Sequence, residues 1–189
     1  MSSRAASVSG PEPYHLQIRN AYNLVVGEIP GAVLKGDGRL LNKDTINWAP
    51  WDPQVGSNQA SLDMLRSATA LRRGAAKPFL VYGRMLRPAM PVGIKMIEWQ
   101  HSGQIHQIPA VFHSAWQSPD GHLGLVAANW TSQPQQVEFT HDRLAAGCTE
   151  TISSSEIRAH HADVRDKTVR LTLPPVSCAL VDSFNAKSL

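Results

Sequence analysis

The sequence predicts an α+β fold, with helices in the first half and an antiparallel β-sandwich over roughly Gly93 to Phe184. Three observations lead there. A helical apolar period follows Asn58, the period changes to two past Pro91, and many short strands then follow one another with turn signals and no helix between them.

Along the chain, Met1 to Pro13 is rich in Ser, Ala, Gly and Pro without apolar periodicity. Such a stretch cannot offset its ordering entropy and reads as a flexible tail. From Tyr14 to Leu41 short apolar clusters, Tyr22 to Val26 and Ala32 to Leu34, are broken by Gly27, Pro30-Gly31 and Gly36-Asp37-Gly38. They read as short helical or extended segments joined by turns. Trp48-Ala49-Pro50-Trp51-Asp52-Pro53 excludes a regular helix and predicts a rigid aromatic loop. A helix then starts at an Asn58 cap, carries Leu62, Leu65, Ala68 or Thr69 and Leu71 on its apolar side, and stops at Arg72-Arg73-Gly74. Pro78 opens either a second helix, Phe79 to Leu86, or a buried strand.

Beyond Pro91, Val169-Arg170-Leu171-Thr172-Leu173 alternates cleanly, as do Val137-Glu138-Phe139 and Val176 to Leu180. Ser118-Pro119-Asp120-Gly121 marks a tight turn between Val111–Trp116 and Leu123–Trp130. The remaining strands are Ile94–Trp99, Ile105–Ile108, Gln136–Phe139, Thr149–Ser153, Ile157–His160 with Val169–Leu173, and Val176–Asp182. A run of this kind indicates a sandwich.

Eighteen basic and fifteen acidic residues leave a net charge of +3, scattered along the chain. No nucleic-acid footprint follows from that, and no apolar run approaches the roughly 20 residues of a membrane helix. Nor does the N-terminus carry the apolar segment of a signal peptide. Cys148 and Cys178 are the only cysteines, and no Cys/His spacing matches a metal-ligand set, so neither a structural metal nor a cofactor is expected. The two thiols read as reduced core residues, with a disulfide between neighbouring strands as the alternative. Asn129-Trp130-Thr131 matches a glycosylation sequon but sits where a strand ends, and reads as strand-end chemistry.

His101, His106 and His113 fall on consecutive predicted strands, yet none has a partner at ligand or nucleophile spacing. His160 and His161 must point to opposite faces if extended. No G-x-S-x-G surrounds any serine, and Gly36-Asp37-Gly38 lacks the helix and lysine of a phosphate loop. The remaining chemistry is carried by Glu28, Asp37, Asp44 and Asp52 beside Trp48 and Trp51. Glycoside hydrolysis needs two carboxylates about 5 to 10 Å apart, and sugars lie against aromatic faces. Read more plainly, the tryptophans close the base of the helix after Asn58 and the acids are solvated loop residues.

The order of Pro30-Gly31, the Trp48–Trp51 loop, the helix ending Leu71-Arg72-Arg73, Phe79-Leu80-Val81-Tyr82-Gly83-Arg84-Met85-Leu86-Arg87-Pro88, Pro109 to Trp116 and Pro119 to Thr131 carries a family resemblance. Over about Tyr14 to Asp182 the chain resembles the C-terminal region of large glycoside-hydrolase-like proteins with a domain of unknown function (DUF6259). In these a (β/α)8 barrel precedes a β-sandwich. Gly83-Arg84-Met85 and Asp120 to Thr131 are the most specific pieces, and neither is a catalytic motif.

The resemblance implies that residues 14–90 are the C-terminal remnant of a barrel, with helices at about 58–73 and 78–86, and that residues 91–189 are the appended sandwich. A whole barrel takes about 250 residues, so its middle strands, with the nucleophile and acid of similar retaining enzymes, would lie outside this chain. No catalytic residue carries over.

Three readings follow. In the first, the chain is a noncatalytic module whose partner is a preceding barrel domain. In the second it is a self-contained carbohydrate-binding module with Trp99, Trp116 or Trp130 as its platform. In the third it is a small hydrolase using Glu28 with Asp44 or Asp52. None implies a nucleic-acid or membrane partner.

Overall fold

A computed structural model describes residues 15–32, 59–101 and 103–183. Among the described residues three helices come first: α1 (His15–Val25), α2 (Gln59–Arg73) and α3 (Lys77–Leu80). Twelve strands follow: β1 (Arg84–Met85), β2 (Met90–Val92), β3 (Met96–His101), β4 (Gln104–Pro109), β5 (Val111–Gln117), β6 (Leu123–Asn129), β7 (Gln135–Thr140), β8 (Thr149–Ser153), β9 (Ile157–His161), β10 (Val164–Arg165), β11 (Thr168–Leu173) and β12 (Ser177–Ser183). The protein is an α+β fold built on antiparallel sheets.

One sheet has the order β1-β5-β6-β12-β8-β9 and the second β10-β11-β7-β2, while β3 and β4 form a separate hairpin. The long strands fall within two residues of their expected bounds. Between β5 and β6 the expected turn forms, with Gly121 at φ +90° and its N–H donating to the Ser118 carbonyl at 3.0 Å.

Alternation sorts the side chains into two cores. Val111, Ala115, Leu123, Leu125, Ala127, Ala179 and Val181 of the larger sheet meet Val137, Phe139, Val169, Leu171 and Leu173 of the smaller one. On the opposite face of the larger sheet Trp116, Val126, Ala128, Cys178 and Leu180 pack with Trp130 against Ile18, Leu24, Met64, Leu71 and Phe79 of the helices. The result is three layers: helices, six-stranded sheet, four-stranded sheet. Strand β6 is therefore buried at every position, which suits its small-residue sequence Leu-Gly-Leu-Val-Ala-Ala-Asn.

Helix α2 lies where expected, but its buried stripe is Ser61, Met64, Ser67, Ala68 and Leu71, while Leu62 and Leu65 are half-buried. Small residues let the helix approach the sheet closely: the Ser67 hydroxyl donates to the Ser154 carbonyl at 3.2 Å. The helix expected over residues 78–86 is a single turn ending at Leu80. Gly83 N–H closes on the Phe79 carbonyl at 3.0 Å, after which β1 joins the edge of β5 and Leu86 N–H donates to the Ala115 carbonyl at 2.8 Å. Pairing with a strand more than thirty residues downstream overrides the local helical signal.

The cysteines are free, Cys148 in the core between the sheets and Cys178 in the core beneath the helices. They stand on opposite faces of one sheet, so the disulfide alternative is excluded. Burial pushes the Cys178 thiol far above its ordinary range.

Candidate functional site

Of the acids singled out in the sequence, Glu28 is exposed in the loop after α1. Asp37, Asp44, Asp52, Trp48 and Trp51 lie outside the described residues. Two of the sandwich tryptophans do not form a platform: Trp116 and Trp130 are 8% and 1% exposed. The Trp116 indole donates to Ser114 Oγ at 2.9 Å and faces the Val25 carbonyl at 3.3 Å, and Trp130 donates to the Pro109 carbonyl at 2.7 Å. Both are core aromatics that bind the sheet to its surroundings. Trp99 is in β3 opposite His106, and its side chain lies outside the described part.

Asn129 is fully buried. Its amide nitrogen donates to the carbonyls of Gln133 at 2.8 Å, Leu173 at 3.3 Å and Pro174 at 2.7 Å. Its oxygen accepts from Thr131 N–H at 3.0 Å and Thr131 Oγ1 at 2.8 Å. The sequon is strand-end chemistry, with no side-chain nitrogen free for a glycan.

Most of the described carboxylates are held by a basic side chain. Arg170 holds Glu138 at 2.6 Å, Arg165 holds Asp163 at 3.1 Å, Arg158 holds Glu156 at 3.0 Å and Arg66 holds Asp63 at 3.2 Å. His122 Nδ1 lies 2.9 Å from Asp182 and its Nε2 lies 3.7 Å from Asp120, fastening the β5–β6 turn to the end of β12. A hydrogen bond from the Ser118 hydroxyl holds the Asp120 carboxyl below its ordinary range. Across β8 and β9, His160 Nε2 stands 3.1 Å from Glu150, whose side chain is only 7% exposed. Burial raises the Glu150 carboxyl above the usual carboxylate range, and the nearby imidazole opposes that rise.

A cleft of about 460 Å³ opens where β2, the β3–β4 hairpin and β5 diverge, lined by Pro91, Ile94, Met96, Pro109, Phe112 and His113 among others. Its wall is largely apolar. The His113 ring leans on Phe139 with centroids 4.9 Å apart, and its Nδ1 is buried without a hydrogen-bond partner. Burial holds His113 below its ordinary pKa, so the imidazole stays neutral near pH 7. An apolar cleft with one neutral imidazole can hold a small neutral molecule, but it carries no acid and base pair.

Sequence spacing singled out His113 only as one of three histidines on successive strands. Its burial arises from the facing sheet and has no local signature. Among the described residues no group of three or more His, Cys, Asp or Glu is placed to hold a metal ion, and no helix is long and apolar enough to cross a membrane.

No protein-family model and no curated protein matches the chain. Among solved structures, a GH30 endoxylanase from Clostridium papyrosolvens C71 is similar over 74% of this chain and 32% of its own, at 16% identity and a TM-score of 0.42. A GH51 arabinofuranosidase from Xanthomonas axonopodis pv. citri is similar over 47% and 21%, at 22% identity and a TM-score of 0.36. The catalytic domain of GH30 xylanase C from Talaromyces cellulolyticus is similar over 43% and 20%, at 16% identity and a TM-score of 0.36. These neighbours are glycoside hydrolases, and the chain spans between 20% and 32% of their lengths.

Proposed function

We propose that this chain is a noncatalytic β-sandwich module of a glycoside-hydrolase-related protein, in which α1 and α2 derive from the end of a (β/α)8 barrel and the sandwich supports that barrel. The observation that carries the noncatalytic assignment is the pairing of most of the described carboxylates. Glu138, Glu156, Asp63 and Asp163 are each held by an arginine, and Asp120, Glu150 and Asp182 by a histidine. Glycoside hydrolysis requires one carboxylic acid that protonates the leaving oxygen and a second carboxylate across the anomeric centre, both rigidly placed. Glu28 stands exposed on the loop after α1.

The link to glycoside hydrolases rests on the family resemblance of the Phe79–Pro88 and Asp120–Thr131 segments. Trp48 and Trp51 remain the proposed sugar contacts outside the sandwich.

The test is release of chromophore from a panel of aryl α- and β-glycosides by the purified chain. No turnover is expected. Turnover abolished by Glu28→Gln, Asp44→Asn or Asp52→Asn would overturn the proposal and establish a small hydrolase.

A further inference from the structure

The smaller sheet has one face in the core, through Val137, Phe139, Val169 and Leu171, and a second face that none of the described helices covers. On that outer face two adjoining concavities of about 260 and 280 Å³ share Glu138 and Arg170. Asp163, Arg165 and Thr168 wall the first, and Val92, Gly93 and Gln136 contribute to the second. The register sets Arg170 opposite Glu138, Glu138 opposite Val92, and Arg165 opposite Thr168. The two hollows thus adjoin across β10, β11, β7 and β2, meeting at the Arg170–Glu138 pair that both share. At the usual strand spacing that crossing is about 14 Å long, more than one sugar ring.

We propose that this groove binds a neutral oligosaccharide chain, an inference that rests on the glycoside-hydrolase relationship proposed above. Its lining supplies two guanidinium forks, two carboxylates, an amide and a hydroxyl, the mixture of donors and acceptors that pairs of adjacent sugar hydroxyls engage. The charges cancel, with Arg165 and Arg170 against Asp163 and Glu138. A polyphosphate chain needs uncompensated basic groups, which this groove lacks. The Arg170–Glu138 pair at 2.6 Å and the Arg165–Asp163 pair at 3.1 Å set these polar heads side by side along the hollows. Val92, 61% exposed, gives one end an apolar patch for sugar C–H groups.

The experiment is calorimetric titration of the full chain with soluble cello-, xylo- and arabino-oligosaccharides, with inorganic phosphate as the charged probe. Arg165 and Arg170 are 83% and 74% exposed, so the double variant Arg165→Ala/Arg170→Ala keeps the fold, checked by circular dichroism. Arg158→Ala, on β9 of the other sheet, is the control. At least one neutral series is expected to bind with little salt dependence, at least about tenfold more weakly in the double variant and unchanged in the control. Equal binding by the double variant, binding of phosphate alone, or no binding by any series at millimolar concentration would each overturn the groove. The aryl-glycoside assay reports separately: turnover removes the noncatalytic module, while absence of turnover leaves it standing whichever way the titration falls.

Discussion

The Phe79 ring lies directly over Gly124, so close that a Cβ at position 124 would stand 2.5 Å from Phe79 Cδ1. Phe79 belongs to the one-turn helix α3 and Gly124 to the central strand β6, and the missing side chain is what lets the helical layer sit down on the sheet. The same device recurs at Gly27, where a Cβ would meet Trp116 at 2.7 Å and φ is +79°.

Gly124→Ala is therefore expected to destabilise the protein by about 1–3 kcal/mol through overpacking, and Gly124→Val by more. Urea denaturation with a constant slope would measure it. A midpoint unchanged in Gly124→Val would mean that Phe79 swings away at no cost, and that the helical layer is not locked to β6.

Both faces of β6 are interior, Leu125 toward the second sheet and Val126 toward the helices. An unpaired buried charge is costly on either side, so Leu125→Asp and Val126→Asp are each expected to prevent cooperative folding. Thermal melts of the two variants decide the point. A normal melt for Val126→Asp would show that the helices leave that face open to water.

Glu150 gives a pH dependence with a definite sign. Its carboxyl is raised in the folded state, so its contribution is fully present below the unfolded value near 4.5 and is lost as pH rises through the folded value. Glu150→Gln keeps an oxygen for His160 and removes the buried charge. It is expected to melt higher than the parent at pH 8, with the gain shrinking as pH falls toward 4.5. A lower melting temperature for Glu150→Gln at pH 8 would mean that attraction to His160 outweighs burial.

Asn129→Ala removes a side chain that accepts from Thr131 and donates to three carbonyls at the junction of β6 with the loops before β7 and β12. A loss of about 2–4 kcal/mol is expected, because the groups left behind are buried and unpaired. Asn129→Asp is expected to cost a similar amount, since a carboxylate has no hydrogen to give those carbonyls. Chemical denaturation of both variants measures this, and a loss below 0.5 kcal/mol would make the network dispensable.

Much of the fold was legible because it is local. Period-two alternation placed Thr149–Ser153 at its observed bounds and the longer strands within two residues, and Ser118 to Gly121 announced the hairpin. The strand-end reading of Asn129 also held, since the competing sequon signal needs an exposed side chain. Less was legible in the site. Trp116 and Trp130 read equally as platform or core, and His113 looked like one scattered histidine among several. The loop candidates Asp44, Trp48, Trp51 and Asp52 fall outside the described residues.

The sequence by itself determined where the longer strands lie, where α2 runs and where the main turn falls, because dihedral preference and side-chain period act between neighbours in the chain. Only the tertiary structure decided which layer covers which face. A strand of small apolar residues such as β6 is compatible with one buried face or two, and the helices docking through Phe79 and Met64 selected two. That choice placed Cys148 and Cys178 on opposite sides of one sheet, drew Trp116 and Trp130 inward, and left Arg165, Arg170, Asp163 and Glu138 together on the face that none of the described helices covers. Burial is a property of contacts between residues far apart in sequence, and those contacts exist only once the layers have stacked.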